Sequence, residues 1–324
     1  MSLPVVFIPE YIDKAGKDLL TARYRCIAPW FGGAARLDAP REDAMRSHLY
    51  EADAVIVRVF TISADDMRRA ENLKVVVKHG VGFDNIDVAA VTARGIPVAY
   101  TPTGNTNAVA EHAMALMLSL MRRIVPAGEA LRAGRFADRN DFQGEELEGK
   151  TLGIVGVGRI GSLVARKAAF GFGMNVIAFD PYVSPERYDG PAVLTDFETV
   201  MKTADIVTFH VPLTRKTRRM VDARTLAFVR PSCRIVNTSR GGVIAQEALT
   251  EALHDGRIAG AALDVFEEEP IPPDHPLCRL PNVVLTPHIG GLTQTAMRRT
   301  ALLAAQAVID ALEGRTPEYI VNQP

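Results

Sequence analysis

One glycine pattern constrains the fold of this 324-residue chain more than any other sequence feature. The pattern consists of Gly156, Gly158 and Gly161. Gly156 ends an apolar run, residues 151–156, and the other two lie around the start of an amphipathic stretch, residues 159–172. The run has the length of a buried strand, and the stretch has the length of a helix. A strand that turns tightly into a helix is typical of a βαβ unit with parallel strands. An α/β fold is therefore expected.

Apolar runs and amphipathic stretches alternate throughout the chain after Lys150. Six short strands are predicted there, at residues 151–156, 174–179, 205–210, 233–238, 258–264 and 282–286. The segments long enough for crossover helices include residues 159–172, 215–229 and 246–256. Parallel strands require such crossovers, so the alternation predicts a doubly wound sheet.

The first hundred residues repeat this alternation more weakly and predict a smaller α/β domain. The strand candidates there are residues 5–8, 54–58, 73–78 and 98–100. Residues 105–124 carry apolar side chains at helical spacing and should form a long helix that connects the two domains. Residues 293–312 are also helical in pattern, and the simplest account returns this helix to the first domain.

Composition limits the class of partner. The chain is 48% hydrophobic and 23% charged with a formal net charge of -1, which argues against disorder, a nucleic-acid surface and a charged membrane-binding face. The longest apolar helical run, residues 113–121, is too short to span a bilayer. Pro9, Glu10 and Asp13 interrupt the N-terminal apolar run before it could serve as a signal peptide. A soluble protein with a small-molecule partner is expected.

Cysteine and histidine usage argues against disulfides and metals. Cys26, Cys233 and Cys278 are scattered without a CxxC spacing, so a reducing, cytoplasmic location fits best. No two histidines stand at ligand spacing on one element, so no metal is predicted. Four histidines without a polar constellation are predicted to be surface or structural residues: His48, His112, His254 and His275. For His79 and His210 the choice stays open.

The context of the glycine pattern predicts dinucleotide binding. Gly156 would permit the tight turn, Gly158 would let the backbone approach a pyrophosphate, and Gly161 would let helix and strand pack closely. Asp180 ends the next strand candidate, 19 positions after Gly161 (180 − 161), where an acid should accept the adenosine ribose hydroxyls. A 2'-phosphate would be repelled there, and the adjacent residues Pro181 and Tyr182 supply no cation, so NAD is favoured over NADP.

Three polar side chains follow strand candidates of the nucleotide-binding half: Arg240, Glu269 and His288. Ligands bind at such strand ends in doubly wound sheets. Arginine can hold a carboxylate and polarise a carbonyl without titrating. Histidine can deliver a proton near neutral pH, and Glu269 is a candidate for the carboxylate that would raise the pKa of His288. Such an acid/base contributes roughly a hundred- to ten-thousand-fold in rate.

Each of these residues also has a structural interpretation. Arg240 could cap the carbonyls of a preceding turn, and His288 could be a buried structural histidine between Pro287 and Ile289. Glu269 belongs to an acidic run, residues 267–269, most of which should be solvated.

Segments around these residues resemble the D-isomer-specific 2-hydroxyacid dehydrogenase family over essentially the whole chain. The matching segments are KHGVGFDNID at 78–87, VAE at 109–111, GKTLGI at 149–154, NTSRGG at 237–242, ALDVFEEEP at 262–270 and TPHIGG at 286–291. The resemblance implies that Arg240 binds the carboxylate and carbonyl of the substrate, that His288 is the acid/base and that Glu269 orients it. It also implies that the amides of Val81 and Gly82 hold the substrate carboxylate.

The resemblance further implies which residues contact NAD. These are Gly156, Gly158, Arg159, Ile160, Gly161, Asp180, His210, Val211, Pro212, Thr238, Asp264 and Gly290. In this interpretation Arg159 and Ile160 meet the phosphates, Asp264 takes the nicotinamide amide, and His210 to Pro212 border the adenine.

The resemblance implies a particular domain arrangement. A Rossmann nucleotide-binding domain, residues 104–289, is expected as an insertion in a flavodoxin-like substrate domain, residues 1–103 and 290–324. Closure of the domains over the substrate, with hinges near Thr103 and Gly290, and a homodimer formed along residues 105–145 are also implied.

Residues 55–58, which end in Arg58, and Lys78 before the loop 80–82 resemble the corresponding segments of the 3-phosphoglycerate dehydrogenase branch. By this resemblance, Arg58 and Lys78 could face a second anionic group on the substrate. Alternatively Arg58 merely ends an exposed strand and Lys78 is solvated. The chain lacks the C-terminal regulatory extension of many such enzymes, so serine feedback is not expected. Glyoxylate, hydroxypyruvate, a sulfonated hydroxy acid and a 2-hydroxy dicarboxylate stay open as substrates.

Two rival functions follow from the same resemblance. An NAD-sensing binding protein of the corepressor type would keep the same three polar residues. A family enzyme that uses formate or phosphite as hydride donor is disfavoured, because the formate branch has a Gln/His pair where this chain has Glu269 and His288.

Overall fold

The computed structural model describes residues 3–29 and 39–323 of the chain. Backbone contacts divide the chain into two compact units. One unit comprises Met1–Asn105 with Leu292–Pro324, and the other comprises Thr106–Gly291. We call them unit 1 and unit 2.

Unit 1 is built on a parallel sheet that has five strands in the described residues, in the order β2-β1-β3-β4-β5. The strands are β1 (Val5–Phe7), β2 (Arg25–Ile27), β3 (Ala54–Val57), β4 (Val75–Lys78) and β5 (Val98–Tyr100). The helices are α1 (Lys14–Thr21), α2 (Ala39–Glu51), α3 (Ala64–Arg69), α4 (Val88–Ala93) and the last helix of the chain, α11 (Gln294–Leu312). The last helix, α11, belongs to unit 1 together with the N-terminal elements.

A close contact between α1 and α11 closes one face of the unit 1 sheet. A Cβ on Gly16 of α1 would lie 2.5 Å from the carbonyl oxygen of Ala301 in α11. Only glycine permits this approach, and it lets small side chains of α11 pack against the strands. Strand β2 was not predicted, because it is a three-residue edge strand in which Arg25 is exposed and no apolar run marks it.

Unit 2 is built on a parallel sheet in which seven strands are described, in the order β12-β11-β10-β9-β6-β7-β8. The strands are β6 (Thr151–Val155), β7 (Asn175–Phe179), β8 (Val193–Leu194), β9 (Ile206–Phe209), β10 (Arg234–Asn237), β11 (Gly260–Leu263) and β12 (Val283–Leu285). The six predicted strands are present, and the two-residue edge strand β8 was missed. The chain order reverses between β6 and β9, the kind of switch point at which α/β sheets bind ligands.

The helices of unit 2 are α5 (Thr106–Met121), α6 (Ile124–Arg132), α7 (Arg159–Arg166), α8 (Phe197–Thr203), α9 (Ala223–Ala227) and α10 (Gln246–His254). A π-helical turn, Lys167–Gly171, extends α7. The predicted crossover helix over residues 215–229 is wrong in length. Its α-helix begins only after Asp222, whose side chain accepts a hydrogen bond from the amide of Thr225 and caps the N-terminus.

The predicted α/β fold with parallel sheets is thus confirmed. No helix within the described residues is long and apolar enough to cross a membrane. The assignment of substrate binding to one unit and cofactor binding to the other stays a prediction.

Candidate active site

The glycine loop joins β6 to α7 at the switch point of the unit 2 sheet. Gly156 has φ +95°, and a Cβ there would lie 2.8 Å from the carbonyl oxygen of His210. A Cβ on Gly161 would lie 1.9 Å from the carbonyl oxygen of Gly156, whereas one on Gly158 would meet nothing within 4 Å. Gly156 and Gly161 therefore serve the turn and the packing. Gly158 leaves open space at the N-terminus of α7, where unpaired helix amides can face an anion.

Asp180 lies at the carboxyl end of β7 and fixes the turns beside this loop. Its carboxylate accepts hydrogen bonds from the amide of Val157 at 3.0 Å and from the amide of Tyr182 at 3.0 Å. The exposed ring of Tyr182 in turn lies 5.8 Å from the ammonium of Lys216. The residues adjacent to Asp180, Pro181 and Tyr182, carry no positive charge. Lys216, which contacts the Tyr182 ring, comes from a loop more than thirty residues further along the chain and was not considered from the sequence.

Two further side chains line the same edge of the sheet. His210 follows β9, and its Nε2 lies 3.1 Å from the Thr208 hydroxyl. Desolvation lowers the pKa of His210 to about 3, so its ring is neutral. Thr238 follows β10, and its buried hydroxyl has no hydrogen-bond partner within the described part of the chain. A buried hydroxyl without a partner and an open glycine cradle both fit a polar cofactor laid across this edge.

Glu269 and His288 form a hydrogen-bonded pair. His288 Nδ1 lies 2.7 Å from Glu269 Oε2, and the other carboxylate oxygen of Glu269 accepts the amide of Phe266 at 3.0 Å. Because an ionised carboxylate only accepts, Nδ1 of His288 carries the hydrogen, and Nε2 is left for a ligand. The His288 side chain is 46% exposed, so the structural interpretation of a buried histidine does not hold.

The charge of Glu269 is maintained by its surroundings. Burial raises the pKa of its carboxyl, but the hydrogen bond and charge of His288, the amide of Phe266 and the positive charge of Arg240 outweigh burial. The pKa of Glu269 is lowered as a result. Glu269 is therefore ionised at neutral pH and can orient the imidazole.

Arg240 follows β10 in a turn that is fixed by Asn237. The Asn237 side-chain amide donates to the carbonyl of Arg240 at 2.9 Å, and its oxygen accepts from the amide of Ser239 at 3.0 Å. A Cβ on Gly241 would lie 1.9 Å from the carbonyl carbon of Phe266, so only glycine allows this turn to lie against the segment that leads to Glu269. Sequence reasoning missed these positioning roles of Asn237 and Gly241, although both lie in the NTSRGG segment.

Asp264 is the centre of a hydrogen-bond network that sequence reasoning did not foresee. Its buried carboxylate accepts from the Thr286 hydroxyl at 2.6 Å and from the amides of Ile289 at 2.9 Å and Gly290 at 2.8 Å. His112 Nε2 lies 3.2 Å from the same carboxylate and 3.0 Å from the Thr286 oxygen. The prediction that His112 lacks a polar constellation is therefore wrong. The ring projects from a mostly apolar helix, and its partners come from distant strand ends.

These contacts determine the ionisation of Asp264. Burial raises the pKa of its carboxyl, but the hydrogen bonds from His112, Thr286 and the two backbone amides lower it further than burial raises it. Asp264 is therefore an anion held by donors on every side.

In unit 1, Lys78 ends β4 as a buried cation. Its ammonium donates to the carbonyl of Arg58 and, at 2.5 Å, to the side-chain oxygen of Asn85. The expectation that Lys78 is solvated is wrong, since the residue is 8% exposed. Arg58 follows β3, and its guanidinium donates to the carbonyl of Tyr11 at 2.9 Å. Whether Arg58 and Lys78 contact substrate stays a prediction.

The loop that contains Val81 and Gly82 begins at Gly80, which has φ +144° and donates its amide to the Thr101 hydroxyl at 2.8 Å. Both residues of the predicted carboxylate-binding pair are partly exposed. His79 precedes the loop. Burial and the charges of Arg58 and Lys78 lower its pKa to about 3, and its Nε2 has no hydrogen-bond partner in the described residues.

Glu10 is a further unit 1 residue that sequence reasoning missed. Its buried carboxylate accepts hydrogen bonds from the amides of Arg58, Val59 and Phe60. The carboxylate fixes the loop after β3 and therefore the backbone position from which the Arg58 side chain projects.

No group of three or more histidine, cysteine or acidic side chains within residues 3–29 and 39–323 could hold a metal ion.

Comparison with known proteins places this geometry in context. Residues 114–290 match the family described as D-isomer specific 2-hydroxyacid dehydrogenase, NAD binding domain. The chain is 43% identical over 286 residues to D-3-phosphoglycerate dehydrogenase from Methanocaldococcus jannaschii, a match that covers 87% of this chain and 54% of that protein. It is 39% identical to glyoxylate reductase from Thermofilum pendens, a match that covers 100% of this chain and 96% of that protein.

Among solved structures, the TT0316 protein from Thermus thermophilus superimposes with a TM-score of 0.88 at 35% identity. The match covers 98% of this chain and 100% of that one. The chain spans about half the length of the curated phosphoglycerate dehydrogenase described above, but nearly the whole of the glyoxylate reductase and of this solved structure.

Proposed function

The chain belongs to the D-isomer-specific 2-hydroxyacid dehydrogenase family, and from that premise we propose that it catalyses NAD-dependent interconversion of a small D-2-hydroxy acid and its 2-oxo acid. The observation that carries the proposal is the Glu269–His288 pair at 2.7 Å, placed with Arg240 at the carboxyl edge of the sheet that bears the glycine loop. These groups supply a proton and a positive charge, which carbonyl reduction requires.

The side chains divide the reduction between them. Nicotinamide, when bound, supplies the hydride that reaches C2 of the oxo acid. Arg240 holds the carboxylate and stabilises negative charge on the carbonyl oxygen. His288 transfers the proton of Nε2 to that oxygen, which becomes the hydroxyl, and the Nδ1 hydrogen stays on the imidazole, hydrogen-bonded to Glu269. In the oxidative direction His288 takes the hydroxyl proton back.

The residues that would hold the cofactor fit its parts. The open space at Gly158 and the amides of Arg159 and Ile160 suit the pyrophosphate. Asp180 would accept the ribose hydroxyls, with His210, Val211 and Pro212 beside the adenine. Thr238, Asp264 and Gly290 would lie toward the nicotinamide end. We propose NAD as the working cofactor, because the Asp180 carboxylate would repel a 2'-phosphate.

For the substrate we propose a short 2-oxo acid such as hydroxypyruvate, its 3-phosphate or glyoxylate. Val81 and Gly82 would hold the carboxylate through their amides. Arg58 is the better candidate for a second anionic group, because Arg58 is partly exposed, whereas Lys78 is buried with its ammonium donating to the carbonyl of Arg58 and to Asn85. Domain closure, with hinges near Thr103 and Gly290, would exclude water from the reacting atoms.

We also propose a cytoplasmic homodimer. The segment predicted to dimerise exposes large apolar side chains, with Ile124 56%, Leu131 60% and Phe136 66% exposed. Such a cluster favours a protein interface. A reducing compartment suits the three cysteines, none of which is in a disulfide in the described residues.

The test is NADH and NADPH oxidation against a panel of 2-oxo acids that includes hydroxypyruvate, its 3-phosphate, glyoxylate, oxaloacetate and sulfopyruvate. We expect turnover with NADH that falls at least about a hundredfold in His288→Asn and is kept in His254→Asn, an exposed histidine elsewhere in unit 2. Tight NADH binding without turnover of any acid would overturn the proposal.

A further inference from the structure

The network around Asp264 joins a buried helix to the backbone that carries His288. His112 projects from α5, Asp264 follows β11 and Thr286 follows β12. The side chain of His112 is 17% exposed and that of Asp264 is 2% exposed. The neighbouring positions of α5 are core residues, because Ala113 and Met117 are fully buried. The ring of His112 is therefore held by a rigid part of unit 2.

The donors and acceptors in this network can be assigned. The Thr286 hydroxyl has one hydrogen and lies 2.6 Å from the Asp264 carboxylate, which only accepts, so Thr286 donates to Asp264. Its oxygen can then only accept from His112 Nε2, 3.0 Å away. Nε2 of His112 must carry a hydrogen, and this hydrogen faces both the hydroxyl oxygen and the carboxylate.

Asp264 in turn binds the backbone of residues 288–290, the loop that carries His288. The two carboxylate oxygens of Asp264 accept the amides of Ile289 and Gly290, and its backbone carbonyl accepts the amide of His288 at 2.9 Å. Three consecutive amides are thus bound to one residue. His288 itself has φ +52°, a conformation that L side chains keep only when the surroundings hold it.

Close packing makes the arrangement specific. A Cβ on Gly290 would lie 3.0 Å from Asp264 Oδ2 and 3.4 Å from Cδ2 of the His112 ring. The His112 ring therefore lies directly against the loop backbone as well as donating to its anchor.

We propose that His112 is a positioning residue for His288: its Nε2 hydrogen, together with Thr286, holds Asp264 so that Asp264 fixes the backbone of residues 288–290. This inference rests on the proposed function for its catalytic consequence, because it assigns His288 as the acid/base. The structural half of the inference can be tested without any substrate or cofactor.

The first experiment measures hydrogen–deuterium exchange of the cofactor-free protein. In His112→Leu we expect the amides of residues 288–290 to exchange about tenfold faster, while the strands β6 and β9 keep their protection. His112→Gln, which keeps a side-chain N–H donor, should restore slow exchange. His254→Leu is the matched control at an exposed histidine and should change nothing in this loop. Unchanged exchange in His112→Leu, or equal acceleration in His112→Gln, would overturn the proposal.

The second experiment separates positioning from general stability. At a temperature well below its melting point, His112→Leu should lose about tenfold in kcat, with KM for NADH within about twofold of wild type. His112→Gln should recover most of the loss. A wild-type kcat in His112→Leu would contradict the positioning role. Absence of turnover in the wild type would overturn the proposed function. The exchange experiment would still test independently whether His112 fixes the backbone of residues 288–290.

If His112→Leu does not fold, Thr286→Val tests the same network from the other side. It should accelerate amide exchange of residues 288–290 and lower kcat. Thr286→Ser, which keeps the hydroxyl, should restore slow exchange and the wild-type kcat. No effect of Thr286→Val on either measurement would overturn the proposal.

Discussion

Polar side chains follow strand ends in both units, but the two units use them in opposite ways. In unit 1, Lys78 ends β4 and His79 follows it, and the two residues are 8% and 7% exposed. The ammonium of Lys78 donates to the carbonyl of Arg58 and to the side-chain oxygen of Asn85, and the ring of His79 is neutral. In unit 2, His288 follows β12 and is 46% exposed, with one nitrogen hydrogen-bonded to Glu269 and the other available to a ligand.

The difference shows that residue type and strand-end position do not by themselves assign chemistry. A buried cation must find internal acceptors, because leaving it unpaired costs several kcal/mol. A half-exposed histidine with a carboxylate partner keeps its capacity for proton transfer. The polar groups of unit 1 are therefore held inside a loop, whereas His288 of unit 2 is left accessible, as the proposed function requires.

The largest effect that the comparison predicts is on catalysis in unit 2. His288→Asn should lower kcat roughly a hundred- to ten-thousand-fold, because the proton donor is lost. Asparagine tolerates the left-handed backbone at this position, where φ is +52°, so the melting temperature should change little. Steady-state kinetics and thermal melting measure both quantities. A His288→Asn variant that retained more than a tenth of wild-type kcat would remove the distinction between the two units.

The fold was predictable where apolar runs were long enough to mark strands. The strands predicted at residues 151–156 and 205–210 correspond to β6 (Thr151–Val155) and β9 (Ile206–Phe209) of the unit 2 sheet. Strands β2 and β8 were missed, because edge strands of two or three residues need no apolar run. Their pairing depends on neighbours that are distant in sequence.

The candidate site was predictable where residues lie in short motifs. Arg240, Glu269 and His288 were identified from their segments, and the structure brings Glu269 and His288 into contact. His112 and Lys216 were not identified, because their partners are 152 (264 − 112) and 34 (216 − 182) positions away in sequence. Lys78 looked like a solvated or substrate-binding cation, since nothing in its neighbourhood shows that its ammonium faces the carbonyl of Arg58.

The second prediction tests whether Lys78 is structural. Lys78→Met should destabilise unit 1 by about 3 kcal/mol, because it leaves the buried acceptors on Arg58 and Asn85 without their charged donor. Urea unfolding monitored by circular dichroism measures this. Lys74→Met is the matched control four residues earlier. Its side chain is 58% exposed and paired with Asp53, so we expect a loss below about 1 kcal/mol.

Equal losses in Lys78→Met and Lys74→Met would contradict the structural role. A wild-type stability of Lys78→Met combined with a large rise in KM for a phosphorylated oxo acid would instead assign Lys78 to substrate binding.

The smallest effect concerns the pH dependence of stability and distinguishes His79 from an exposed histidine. The pKa of His79 is about 3 in the folded protein and 6.5 in its unperturbed state. Below pH 6.5 the unfolded chain therefore binds a proton that the folded protein does not, and stability falls as pH decreases toward 3. His79 should contribute about 1.4 kcal/mol of this loss per pH unit. The free energy of unfolding, measured with urea between pH 5 and pH 7, should consequently be less pH-dependent in His79→Gln than in wild type.

The control is His254→Gln, at an exposed position, in which the free energy of unfolding should change with pH with the wild-type slope. If both variants kept that slope, His79 would have to titrate alike in the folded and unfolded chain. Its ring would then not be the neutral, buried counterpart of His288.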